Sequence, residues 1–159
     1  MAKEKLQIVS SFMVYAHENE LSADERLLVL KAKDASKKAY APYSNFKVGA
    51  AILLANQEII SGNNQENSAY PSGLCAERVA VFYAGSIHPD VVVKCIAVYC
   101  DTERPISPCG ACRQALIEYE QKQHSKIKVL LCSKGNKVIT SESVSAFLPL
   151  QFDSSFLKK

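Results

Sequence analysis

Three thiols define the chemistry this sequence can do. Cys109 and Cys112 form a C-x-x-C pair within Ser107-Pro108-Cys109-Gly110-Ala111-Cys112-Arg113-Gln114, and Cys75 opens the upstream stretch Cys75-Ala76-Glu77-Arg78. Three thiolates can occupy three corners of a tetrahedral zinc site, leaving the fourth for water or substrate, which is the pattern of a catalytic rather than a closed structural site. No histidine or fourth cysteine sits at an obvious partner spacing. Instead Glu77, two residues after the first thiol, is placed to act on water in the open corner. Taken alone, C-x-x-C fits a structural zinc pair or a redox motif as well.

Helices must hold these groups. Cys109 and Cys112 are three apart, so on the first turn of a helix they point the same way, and the exposed amides of a helix N-terminus favour the thiolate form. Residues 109–121 read as one such helix. Residues 77–85 read as another, with Gly85 as its C-terminal stop, which puts Cys75 near its first turn. Residues 91–99, nearly all apolar, predict a strand covered on both faces that brings the two helix starts together. Three thiolates on Zn²⁺ leave one net negative charge. Arg78 and Arg113, each directly after a thiol motif, are placed to hydrogen-bond the sulfurs and draw off charge.

The remaining chain supplies the frame. Ser22-Ala23-Asp24-Glu25 is a capping box that starts a helix, with an apolar stripe of Leu27, Leu28, Leu30, Ala32, Ala35 and Ala39 and a stop at Pro42. Residues 46–55 and Ile59-Ile60 form a hairpin around a polar turn, and Asn63-Asn64-Gln65-Glu66-Asn67 is a loop. Residues 127–132 and 137–140 are two more strands, and Ser143 caps a last short helix before Pro149. Before all this, Leu6, Ile8, Phe12 and Val14 alternate, as in a short edge strand or a subunit-spanning arm. The order predicts a three-layer α/β/α sandwich with a mixed central sheet of about five strands. Residues 1–20 form an N-terminal extension and residues 21–159 the catalytic domain.

Composition narrows the function classes. The 159 residues, 48% of them hydrophobic, fit one domain with a sizeable core. A net charge of +3 gives no basic stripe for a long nucleic acid, so a small molecule is the better partner. The six cysteines come without a leader or a membrane-length apolar run, which predicts a reducing, cytoplasmic setting. Cys95, Cys100 and Cys132 read as small core residues on strands. His17, His88 and His124 read as surface residues, and Lys158-Lys159 as a solvated tail.

The motifs resemble the cytidine deaminase family, and in particular its short-chain, homotetrameric zinc-dependent branch. Cys-x-Glu followed by Pro-Cys-x-x-Cys is the signature of zinc deaminases. The likeness extends to Ala39-Tyr40-Ala41-Pro42-Tyr43-Ser44-Asn45-Phe46-Lys47-Val48-Gly49-Ala50-Ala51, to Asn64-Gln65-Glu66-Asn67, and to Phe147-Leu148-Pro149 with Phe152. Together it covers roughly residues 21–155.

The resemblance implies hydrolytic deamination of cytidine and deoxycytidine to uridine and deoxyuridine plus ammonia, in pyrimidine salvage. It implies one Zn²⁺ per subunit on Cys75, Cys109 and Cys112, with hydroxide attack on C4 and Glu77 as proton shuttle. Asn64 and Glu66 would hold the ribose, Phe46 would stack near the pyrimidine, and the Ala76 amide would meet its carbonyl. Tyr70 and Phe152 match positions that reach into a neighbouring subunit's pocket. Arg78 would tune the charge of the zinc site. Other readings are a polymer-editing deaminase, which usually has His in place of Cys75 and a basic or aromatic surface, a blasticidin-type deaminase, and a non-catalytic zinc-binding interaction module. The extension is longer than the branch leads one to expect.

Overall fold

The structure, a computed structural model, describes residues 3–157; the Lys158-Lys159 end lies outside them. Its frame is one six-stranded sheet. The strands are β1 (Met13–Tyr15), β2 (Val48–Leu54), β3 (Ile59–Asn63), β4 (Val93–Cys100), β5 (Lys128–Ser133) and β6 (Val138–Ser141), in the spatial order β1-β6-β5-β4-β2-β3. Only the β4–β5 pair is parallel; the others are antiparallel. The sheet is therefore mixed, and the sixth strand comes from the N-terminal segment.

Three α-helices cover it. Helix α1 (Ala23–Ser36) packs on β2, β3 and β4, while α2 (Ala76–Ile87) and α3 (Gly110–Lys122) pack side by side on the other face. Alternation along each strand feeds two cores. Val48, Ala50, Ile52, Ile96, Val98, Val129 and Leu131 point towards α2 and α3, whereas Ala51, Cys95, Ala97, Leu130 and Cys132 point towards α1. Central strands buried on both sides lose the polar-out positions of a half-exposed strand, which is why β4 reads as a continuous apolar run. No helix among the described residues is long and apolar enough to cross a membrane.

Local chemistry accounts for the boundaries, with four departures from expectation. Ser22 and Glu25 make the reciprocal capping bonds of α1. The buried stripe is Leu28, Val29, Ala32, Ala35 and Ser36, whereas Leu27 and Leu30 are largely exposed, because only the former set keeps the helical period. Helix α1 ends at Ser36, before Pro42, since Tyr40 is drawn into backbone bonds with Asn64 and Glu66. Gly85 is no stop. It lies inside α2, where a Cβ would come within 2.3 Å of the Tyr119 hydroxyl, so it permits close packing on α3. The expected last helix is a single 3₁₀ turn, Val144–Phe147, capped by Ser143.

Among its described residues, the N-terminal segment has regular structure only at β1 and at a 3₁₀ turn, Glu18–Glu20, capped by His17. Met13 pairs with Thr140 on β6, and Phe12 meets Phe147 edge-to-face at 4.9 Å.

Candidate active site

The three thiols gather where α2 and α3 begin. Cys75 is the N-cap of α2, Cys109 the N-cap of α3, and Cys112 the third residue of α3. Strand β4 lies between the two helices in the chain and carries it from the end of one to the approach of the other. Gly62 on β3 lets α2 sit close: a Cβ there would lie 2.6 Å from the Ala80 nitrogen. The Sγ atoms of Cys75 and Cys109 are 3.8 Å apart, those of Cys109 and Cys112 are 3.5 Å apart, and all three lie within 4.8 Å of one another. Tetrahedral zinc with Zn–S bonds of about 2.3 Å needs sulfurs roughly 3.8 Å apart. The donor set fits that ion.

Charge is unevenly shared among the sulfurs. A hydrogen bond from Cys112, helped by Arg78 and Cys109, holds the Cys75 thiol down at about 5, against the cost of burial. That same bond to Cys75, and then burial, pushes the Cys112 thiol up. Without a cation, three adjacent thiols thus concentrate one negative charge at Cys75. A divalent ion removes the constraint and lets all three ionise.

Glu77 is the second residue of α2, within its first turn, and is only 4% exposed. Burial raises its carboxyl above the usual range, and the Cys75 thiolate adds to the rise. Such a group holds its proton to higher pH than an ordinary carboxyl does. Ala76, fully buried, is the first residue of α2, where the helix makes no internal use of the backbone N–H.

An open cleft of about 520 Å³ leads to Cys75, lined by Tyr43, Ser44, Asn64, Glu66, Tyr70 and Arg78 among others. Its polar loop is rigidly tied. Asn64 accepts from Val48 N at 2.8 Å through Oδ1 and donates to Phe46 O at 2.9 Å through Nδ2. Glu66 accepts from the Tyr43 and Ser44 amides and from the Ser44 hydroxyl, and these bonds hold its carboxyl below the usual range. A larger groove of about 710 Å³, between residues 8–13 and 140–151, has Glu142 as the only ionisable residue among its lining. The clustered chemistry therefore belongs to the smaller cleft.

Two expected members stand apart. Phe46, 42% exposed, opens on a neighbouring groove with Lys33, Lys37 and Tyr99 rather than on the cleft. Phe152 lies on the C-terminal segment, stacked on Phe156 and exposed. Tyr70 does border the cleft and is itself exposed. Arg78 donates from Nη2 to Gly73 O at 3.3 Å and approaches Cys75 Sγ at 3.9 Å, leaving its buried Nε without a partner.

Arg113 touches no sulfur. Its guanidinium bonds Pro108 O, Phe147 O and Ser107 Oγ instead. Sequence spacing also does not single out Glu120, whose buried carboxylate accepts from Ile127 N, Val144 N and the Ser143 hydroxyl. The available signal is its phase: an acidic residue on the buried stripe of α3 with Cys112, Leu116 and Ile117.

Residues 22–127 match the family described as the cytidine and deoxycytidylate deaminase zinc-binding region. A cytidine deaminase of Halalkalibacterium halodurans is 49% identical over 96 residues, which span 60% of this chain and 71% of that protein. The crystal structure of cytidine deaminase from Burkholderia pseudomallei superposes with a TM-score of 0.73 at 41% identity, covering 79% of this chain and 97% of the other. That of cytidine deaminase from Mycobacterium tuberculosis gives a TM-score of 0.65 at 30% identity, covering 82% and 98%.

Proposed function

Because the chain belongs to the cytidine and deoxycytidylate deaminase family, we propose that it hydrolyses cytidine and deoxycytidine to uridine and deoxyuridine with release of ammonia, serving pyrimidine salvage in the cytoplasm. One observation carries this reading. Three sulfurs gather at zinc spacing where two helices begin, and the first turn of one of those helices carries a buried carboxyl whose proton affinity is raised.

Cys75, Cys109 and Cys112 hold one zinc ion. Zinc supplies Lewis acidity that turns water into a nucleophile near neutral pH. The balance of the reaction then falls to Glu77. Its carboxylate takes a proton from the attacking water and delivers it to N3 of the base as the new C–O bond forms at C4. It then carries a second proton from the added hydroxyl to the amine, which departs as ammonia when the C4–N bond breaks. The raised proton affinity of the buried Glu77 supports both halves of that shuttle.

The Ala76 amide, at the start of α2, meets the pyrimidine carbonyl oxygen. Asn64 keeps one N–H and one lone pair free after its two backbone bonds, and with Glu66 it holds the ribose. Their fixed loop orients the sugar without the entropy loss of ordering flexible side chains. Arg78 eases the charge on Cys75. Phe46 contacts the pyrimidine once its ring turns from the neighbouring groove. The exposure of Tyr70 and Phe152 supports a homotetramer in which each completes a neighbour's site.

The test is ammonia release from cytidine and deoxycytidine by the zinc-loaded protein, with Glu77→Ala alongside. Release by the parent, and its loss in a variant that keeps its zinc, is expected. No release from either nucleoside by folded, zinc-loaded protein overturns the reading.

A further inference from the structure

We propose that Arg113 is a positioning residue: it fixes the loop that presents Cys109 by clamping it to the C-terminal 3₁₀ turn. The proposal rests on reading the three thiols as a zinc site.

The three bonds of its side chain divide between two segments. Nε donates to Pro108 O at 2.7 Å and Nη2 to Ser107 Oγ at 3.1 Å, both on the approach to Cys109; Nη1 donates to Phe147 O at 3.0 Å. The Arg113 backbone N–H also donates to Cys109 O at 3.0 Å. One residue thus holds Ser107, Pro108 and Cys109 in succession. The loop has reason to need it. Residues 105–109 have no regular secondary structure, and α3 has no side-chain N-cap bond. Pro105 and Pro108 also have no amide hydrogen to donate.

The far anchor is itself fixed. Phe147 is 8% exposed, and the turn it ends begins with the Val144 amide bonded to the buried Glu120. All three acceptors of the guanidinium are neutral oxygens, and among the described residues no carboxylate pairs with Arg113. What the site uses is the planar fork of donors rather than the charge. Lysine carries the charge on one rotatable ammonium and cannot span these oxygens.

The chemistry of the fork gives the test. Zinc affinity is measured by competition with a chromophoric chelator for the parent, Arg113→Lys and Arg113→Met, together with the melting temperature of each metal-free protein. Removing a group that orients a ligand typically weakens metal binding about 10–100-fold, and both variants are expected to show a loss of that order. If Arg113→Lys keeps the parent affinity while Arg113→Met loses it, Arg113 acts through charge and the positioning role is overturned. If both variants melt lower yet bind zinc as the parent does, the clamp serves only the fold and the proposal fails. A parent that binds no zinc sinks the metal reading and this proposal together. Should neither arginine variant fold, Ser107→Ala removes one acceptor at the exposed end of the fork. An affinity loss of about threefold is then expected, and no loss counts against the clamp.

Discussion

Cys75, Cys109 and Cys112 stand at helix N-termini beside a cleft, whereas Cys95, Cys100 and Cys132 lie on β4 and β5 within the sheet. Side chain and polypeptide are the same in both sets, and the chemistry diverges. Burial pushes the Cys95 and Cys132 thiols up to about 12, so at neutral pH they behave as small apolar groups. Burial does not by itself separate the sets, because Cys112 is fully buried too. The difference is company. The cluster offers thiol donors, Arg78 and two helix N-termini to a negative sulfur, whereas Cys95 and Cys132 sit in an apolar cluster with Ala97, Leu130 and Val138. A cysteine becomes a ligand or a piece of core according to which neighbours can tolerate its charge.

Replacing members of the two sets should break the molecule in different ways. Cys75→Ala or Cys109→Ala is expected to reduce both zinc content and ammonia release to background, and Glu77→Gln to lower turnover by about 10²–10⁴-fold with zinc retained. Retained turnover in the cysteine variants, measured with zinc quantified on the same sample, would erase the distinction.

Alkylation sharpens it. In metal-free protein at pH 7, iodoacetamide should modify Cys75 at least about 100-fold faster than Cys95 or Cys132, as thiolate fraction and access dictate. Peptide mapping by mass spectrometry reads the ratio. The pH dependence has a definite sign. With the Cys75 thiol lowered to about 5, its rate should stay flat from pH 8 down to about pH 6 and fall only below that. An unperturbed thiol near pKa 8.5 would instead lose rate throughout that range.

The smallest effect belongs to the core. Cys132→Ser places a hydroxyl among Leu130, Val138 and their neighbours. It should lower unfolding free energy by about 1–3 kcal/mol in a urea titration and leave zinc affinity unchanged. A shift in zinc affinity there would mean that the two thiol sets are coupled through the sheet.

The difference between the sets also explains what the sequence made legible. Cys-x-Glu and Pro-Cys-x-x-Cys are local patterns, and the helices they open have local starts, so the cluster and its helices could be anticipated. The apolar run of β4 likewise announced a central strand. What stayed hidden depends on approach between distant segments. Gly85 resembles a helix stop until Tyr119 is seen filling the space its side chain would need. Leu27 and Leu30 are as apolar as Leu28, and only the rotation of α1 on the sheet decides which of them is buried. Arg113 follows a cysteine motif just as Arg78 does, yet it turns away to a carbonyl 34 residues further on. No spacing rule encodes that contact.

The pairing of β1 with β6 brings Met13 beside Thr140 and has a consequence for the order of folding. Closing so long a loop is entropically unfavourable until the intervening sheet has formed. In synthesis, β1 leaves the ribosome long before its partner β6. The strand therefore stays unpaired until β6 has been made, with Leu6, Ile8 and Val9 beside it, which remain open to solvent even in the folded chain. Its docking has to wait until β6 has been made, so this edge of the sheet closes only after the strands between them exist.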